Sequence, residues 1–392
     1  MLNERMSKLG DEPSAIRELF MWGLQRKKVV GDDKVYDFSI GNPSVPAPEQ
    51  VKACILKHMN DDPVALHSYS TAAGIEQVRN TLADFITRTY DFKSSGSNVF
   101  LTHGASGALA ASFCAVTLPG EEVIVPAPYF PEYKTWIDTA GSTLVPVACD
   151  RKSFQLDFNE IEKAINEKTS AFVLNSPNNP TGAVYPREDL EKLADILESK
   201  EKQFGTKIYL ICDEPYREIT YGAEVPWVPS IYSRTIVCNS LSKTLSLPGE
   251  RIGYAYVSDI MENARDVYVA ITGAARALGH ICAPVLFQHI LADCIDVPTD
   301  VTPYAENRAL LTEMLDDLGY EYAEPQGAFY LWMKALEPSA QTFSDKAREL
   351  DLLIVPSESF GAEGWIRLSY CIAKETIINS KPAFEKLKAL YE

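Results

Sequence analysis

The stretch Asn239-Ser240-Leu241-Ser242-Lys243-Thr244-Leu245-Ser246-Leu247-Pro248-Gly249-Glu250-Arg251 decides how the chain is read. Thr235-Ile236-Val237-Cys238 leads into it and Ile252-Gly253-Tyr254-Ala255-Tyr256-Val257 leads out, both β-branched and aromatic enough for buried strands. A Ser-rich loop between two core strands thus carries Lys243, with Arg251 following it. Lys243 is either solvated, as loop lysines ordinarily are, or a nucleophile held at a site. Burial and a neighbouring cation both lower an amine's pKa, and only the neutral amine attacks a carbonyl.

Outward from this segment, short apolar runs alternate with helical stretches. Strands are predicted at Val99–Thr102, Glu122–Val125, Thr143–Val147, Ala171–Asn175, Lys207–Cys212, Thr235–Asn239 and Ile252–Val257. Helices near 106–117, 130–139, 158–167 and 187–203 separate several of them. That alternation predicts an α/β protein with a mostly parallel, mixed sheet sandwiched by helices. A helical region over 260–292 follows, then a helix at Pro303–Leu318. Strands at Ala328–Met333, Leu352–Val355 and Trp365–Ser369 precede a final helix at Lys374–Tyr391. These define a smaller α+β domain drawn from both termini. The expected division is 45–290 for a large domain, with 1–44 and 291–392 forming the small one.

At 392 residues and 46% apolar content the chain has the size of a two-domain globular protein. Its formal charge of −17 argues against a nucleic-acid partner, because phosphate backbones demand a basic face. Any site for an anion must therefore gather its cations locally. The eight cysteines are scattered without Cys-x-x-Cys spacing, so they suit an apolar core in a reducing compartment better than a metal site. The opening residues lack the apolar run of a leader and no stretch is long enough to span a bilayer, which predicts a cytoplasmic protein.

Ligands of parallel sheets bind beyond the carboxyl ends of the strands, and the polar motifs all follow strands. Thr102-His103-Gly104-Ala105-Ser106-Gly107 is either a tight turn or a set of open amides for phosphate at a helix N-terminus. Tyr129, fixed among Pro126, Pro128 and Pro131, either stacks on a flat ligand or packs in the core. Asn179, in Asn175-Ser176-Pro177-Asn178-Asn179-Pro180-Thr181-Gly182, is a turn residue or a ligand amide. Asp213, ending the apolar run Leu210-Ile211-Cys212, needs a cationic partner if buried, either a structural one or a protonated ring nitrogen. Arg367, inside Trp365-Ile366-Arg367-Leu368-Ser369, faces solvent on an edge or grips a carboxylate.

These pieces match the needs of pyridoxal phosphate: a Schiff-base lysine, an acid for the ring nitrogen, a phosphate cup, an aromatic lid and a carboxylate clamp. The sequence resembles the class I/II aminotransferases of the aspartate aminotransferase superfamily (fold type I). The resemblance rests on Ser-Pro-Asn-Asn-Pro-Thr-Gly (176–182), Cys-Asp-Glu-Pro-Tyr (212–216), Ser-Leu-Ser-Lys (240–243) with Arg251-Ile252-Gly253-Tyr254, Pro325-Gln326-Gly327-Ala328-Phe329-Tyr330 and Ile366-Arg367-Leu368-Ser369. It implies catalytic roles for Lys243, Asp213 and Tyr216. Tyr216 and Asn179 would bond the ring's phenolic oxygen and Tyr129 would stack on the ring. Ala105, Ser106, Ser240 and Arg251 would hold its phosphate. Tyr69 would reach the phosphate of a neighbouring subunit, implying a homodimer with shared sites. Arg367, helped by Asn179 and the Gly41 amide, would bind the substrate's α-carboxylate.

The implied reaction moves an amino group between an L-amino acid and a 2-oxo acid. For the side chain, one bacterial branch uses a lysine where this chain has Ser106, and another uses a partner-subunit arginine, near whose place Arg276 falls. An aspartate-type donor is slightly favoured, with aromatic or neutral donors as the alternative. A carbon–sulfur β-lyase on the same fold shares every one of these residues. A regulatory module on the same fold, of a different class, would carry an added DNA-binding domain.

Overall fold

The computed structural model describes residues 2–11 and 14–392. The strands, in chain order, are β1 (Tyr36–Asp37), β2 (Val99–Thr102), β3 (Glu122–Ala127), β4 (Thr143–Ala148), β5 (Thr169–Asn175), β6 (Tyr209–Asp213), β7 (Thr235–Ser240), β8 (Gly253–Val257), β9 (Tyr322–Ala323), β10 (Tyr330–Lys334), β11 (Leu352–Leu353), β12 (Val355–Pro356) and β13 (Trp365–Ser369). Seven of them form one sheet in the order β2-β8-β7-β6-β5-β3-β4. The six other than β8 run parallel to one another, and β8 runs antiparallel to both its neighbours. The α/β class expected from the sequence is the observed one.

Side chains alternate across this sheet with period two. Leu210 and Cys212 of β6 join the layer of helices Glu76–Tyr90, Arg187–Phe204 and Val285–Cys294. Ile211 joins the opposite layer, built on helices Gly104–Val116, Glu132–Thr139 and Ala264–Ala277. Parity therefore sends Asp213, the last residue of β6, toward the face that carries Tyr133.

A second sheet, ordered β12-β13-β10-β9, carries its own core around Phe329, Leu331, Ile366, Leu368 and Phe384. Residues near the N-terminus join that core through Phe38, which follows β1, and β1 pairs in parallel with β11 as a separate two-stranded sheet. Here too parity matters. Ile366 and Leu368 enter the core, and Arg367 between them turns the other way, over the rings of Tyr330 and Phe360.

Three local expectations are revised. Lys243 sits on a single helical turn, Leu241–Thr244, capped by the Ser240 hydroxyl, and not on an open loop. The helical region over 260–292 is two helices, Ala264–Ala277 and Val285–Cys294. Gly279 at φ +84° and Pro284 interrupt it, a left-handed turn and a residue without an amide proton. The run Leu352–Val355 is split between β11 and β12, which belong to different sheets.

Candidate active site

The carboxyl ends of β5, β6 and β7 lie side by side, with Asn175 opposite Asp213 and Asp213 opposite Cys238. Because β8 is reversed, its first residue, Gly253, lies beside both Ser240 and Thr102. The reversal thus delivers Arg251 to the same edge as Asp213, Ser240 and the N-terminus of helix Gly104–Val116. A cavity of about 280 Å³ opens there, and Gly41, Ala105, Ser106, Asn179, Asp213, Tyr216, Ser240, Lys243, Arg251 and Arg367 all line it.

Lys243 Nζ donates to the Gly41 carbonyl at 2.5 Å and lies 5.6 Å from the Phe329 ring centre. Burial lowers its pKa to about 8, the charges of Arg367 and Arg251 act the same way, and the Cys371 thiol opposes them. Asp213 is buried; its Oδ2 accepts from Tyr133 Oη at 2.5 Å, while its Oδ1 has no partner. Burial pushes this carboxyl up to about 7, the Tyr133 hydrogen bond opposes the shift, and the Glu214 charge adds to it. A buried carboxylate oxygen left bare at a cavity wall asks for a cationic or proton-bearing partner from within the cavity.

Arg367 is 1% exposed. Its Nη1 donates to Asn179 Oδ1 at 3.2 Å and its Nη2 to the Ser39 carbonyl, while its Nε is unpartnered. Burial lowers its pKa. The guanidinium is held on its outer side and keeps donor capacity for an anion. Tyr216 and Tyr330 share a hydroxyl hydrogen bond of 3.0 Å above the same space.

The opposite end is a cup for a second anion. Ala105 and Ser106 stand in the first turn of helix Gly104–Val116, where amides are free and the helix dipole favours negative charge. Arg251, in the left-handed region at φ +54°, donates from Nη2 to Ser106 Oγ and the His103 carbonyl, each at 3.0 Å, and from Nη1 to the Pro248 carbonyl at 2.9 Å. Glycine is required at 104: its φ is +76°, and a Cβ there would stand 2.6 Å from Arg251 Nη2.

Three expected residues stand apart from this cavity. Tyr129 packs instead on the turn after β12, its amide donating to the Phe360 carbonyl at 2.9 Å, and a Cβ on Gly361 would lie 2.5 Å from its ring. The aromatic that lines the cavity is its neighbour Phe130. Tyr69 is 85% exposed and Arg276 is exposed, so neither enters the cavity of its own protomer. Sequence reasoning passed over Phe130, Tyr133, Trp136, Tyr330 and Ile16. For the first three a signal was present: aromatics at i, i+3 and i+6 following a strand, spaced to share one face. Among the described residues no group of His, Cys, Asp and Glu is arranged to hold a metal, and no helix is long and apolar enough to cross a membrane.

A reversed strand in a parallel sheet, with a lysine turn, a buried acid and an anion cup at one edge, is an arrangement suited to a group-transfer enzyme. Comparison with known proteins specifies it: the family described as aminotransferase class I and II matches residues 33–379, and the chain belongs to that family. It is 30% identical to an aspartate aminotransferase of Thermotoga maritima over 91% of each chain. It is also 30% identical to an aspartate/prephenate aminotransferase of Thermus thermophilus, over 88% of this chain and 89% of that one. A solved aminotransferase structure from Eubacterium rectale superposes with a TM-score of 0.97 at 47% identity, covering 100% of this chain and 99% of the other. The protein is an aminotransferase, with an amino acid and a 2-oxo acid as its substrates. Its family is one that uses pyridoxal phosphate.

Proposed function

We propose that the cavity holds pyridoxal phosphate and that the chain moves an amino group from an L-amino acid to a 2-oxo acid there. The observation that carries this is the bare Oδ1 of buried Asp213 in the same cavity as Lys243. When bound, the cofactor supplies an aldehyde for the lysine and a protonated ring that draws off the electron pair left at the substrate's α-carbon.

The remaining work falls to the chain. Asp213 would hold the proton on the ring nitrogen, and the Tyr133 hydroxyl, donating to it, aims the carboxylate and favours its charged form. Arg251, Ser106, Ser240 and the Ala105 amide would fix the phosphate. Tyr216 and Asn179 would hold the phenolic oxygen. Arg367 would clamp the α-carboxylate, orienting the bond to be broken. Lys243 at a pKa of about 8 has enough neutral amine near neutrality to take a proton from the α-carbon and return it elsewhere.

Lys243→Ala is expected to abolish transamination. Borohydride reduction of the loaded protein should add cofactor mass to the peptide containing residue 243 and to no peptide of the variant. A variant that still turns over, or label found on another lysine, removes the assignment. Ammonia and pyruvate released from a cysteine conjugate, with no amino transfer, would mark a β-lyase instead.

We also propose a homodimer. Tyr69 would serve a second copy's phosphate cup, a reading that its 85% exposure supports, and Ile281, in the break between two helices, is 61% exposed. Residues 45–290 are taken as one body, and 1–44 with 291–392 as the other. A cytoplasmic location suits the eight free cysteines.

A further inference from the structure

Eight cysteines stand free in the chain, and two of them meet. Cys294, the last residue of helix Val285–Cys294, donates from Sγ to Cys54 Sγ on helix Glu49–His58 at 3.6 Å. Among the described residues no other hydrogen bond joins two thiols. Cys212 and Cys238, on neighbouring strands, are sent to opposite faces of the large sheet.

The contact is asymmetric. Cys54 is half-buried, whereas Cys294 is 0% exposed. Burial and the hydrogen bond it gives to Cys54 push the Cys294 thiol up, so Cys294 keeps its proton. Cys54 accepts that bond and reaches solvent, which makes it the sulfur an oxidant meets first. Neither thiol lines the active-site cavity. Cys294 instead lines a second cavity, of about 180 Å³, together with Ser240, Leu241, Thr244 and Leu245. Ser240 belongs to the walls of both cavities. The pair therefore joins two helices at the back of the turn that carries Lys243. A disulfide holds its sulfurs about 2.05 Å apart, so these two must close by about 1.5 Å to bond.

We propose that Cys54 and Cys294 are a modification site: a peroxide converts them to an intramolecular disulfide that ties the two helices behind the lysine turn, and a dithiol reopens it. The Cys54 sulfur attacks one peroxide oxygen. An S–O bond forms, the O–O bond breaks, and the departing hydroxide leaves as water with the Cys54 proton. The Cys294 sulfur then attacks Cys54. An S–S bond forms as the S–O bond breaks, and the released hydroxide takes the Cys294 proton as a second water. Two electrons pass from the thiols to the peroxide. The dithiol returns them and becomes a disulfide itself. In a reducing compartment such a bond is transient and registers oxidation.

The test exposes the pyridoxal-phosphate-loaded protein to a small excess of hydrogen peroxide and maps its peptides by mass without reduction. The peptides holding Cys54 and Cys294 are expected as one linked species, lighter than their sum by two hydrogen atoms. On a denaturing, non-reducing gel the protein should keep the mass of one chain. Because the bond joins positions 240 residues apart, it should raise the Tm by at least about 3 °C, and dithiothreitol should undo the rise. Cys294→Ser should stop the link and leave a sulfenic acid at Cys54 that dimedone captures, and Cys54→Ser should stop both. A link between other cysteines, or between two chains, overturns the proposal. So do free thiols at 54 and 294 after other cysteines have oxidised, and a linked protein whose Tm has not risen.

Discussion

Two ionisable groups at the site are displaced toward each other's range by the same cause. Burial raises the Asp213 carboxyl to about 7 and lowers the Lys243 amine to about 8. Near neutrality each is therefore close to changing its proton, which suits a lysine that must shuttle one and an acid that must meet a cationic ring. Tyr133 sets the balance, because among the described residues its hydroxyl is the one side-chain donor to Asp213. Removing it, in Tyr133→Phe, leaves the carboxyl easier to protonate and so a poorer partner for a ring nitrogen. A hydrogen bond to a charged group contributes about 1.5–3 kcal/mol. The variant should therefore bind pyridoxal phosphate roughly ten- to a hundredfold more weakly, and the acid limb of its kcat profile should move to higher pH. Unchanged affinity in a fluorescence titration would show that Tyr133 is only packing.

At the scale of elements, the reversed strand β8 is the device that closes the site. It brings Arg251 against the anion cup only if Gly253 can pass close to the backbone of Gly104: a Cβ at 253 would stand 2.8 Å from the Gly104 carbonyl carbon. That neighbour is backbone and has no rotamer to yield. Gly253→Ala is expected to cost about 1–3 kcal/mol of stability and to spread the cup. It should lose affinity for pyridoxal phosphate while changing that for unphosphorylated pyridoxal much less; equal losses for both would place the damage elsewhere. The sequence made much of this legible. Strands of the large sheet announce themselves as apolar runs closed by polar motifs, and Asp213, Lys243 and Arg367 stand out because a charge at the end of, between or inside such runs is costly. The reversal of β8 was not visible, since a buried strand has the same composition in either direction. Nor were β1 and β9, each of two residues and too short for any period. Between adjacent aromatics such as Tyr129 and Phe130, only the course of the backbone after β3 decides which one faces the ligand.

For the whole molecule, the site is a weakness that ligand binding repairs. Its residues come from two sheets, Asp213 and Ser240 from the seven-stranded one and Arg367 from the four-stranded one. Without cofactor, Asp213 has a folded pKa above its ordinary 3.8, at about 7. Its contribution to stability is full below about 4 and is lost as pH rises through about 7. Lys243 has the opposite displacement, from 10.5 to about 8, so its contribution is full above 10.5 and is lost as pH falls through about 8. Between pH 7 and 8 the ligand-free protein therefore carries both costs together. Asp213→Asn removes the first. It is expected to raise the Tm of the ligand-free protein at pH 8, with the gain shrinking toward zero as pH falls to 4, where the wild-type carboxyl is protonated. With pyridoxal phosphate present the order should reverse, because the variant loses the charged partner for the ring and with it much of the stabilisation that binding brings. Thermal unfolding of both proteins from pH 4 to 9, with and without cofactor, separates these terms. A ligand-free variant less stable than wild type at pH 8 would mean that the buried carboxylate is satisfied by the fold itself and is not waiting for a cation.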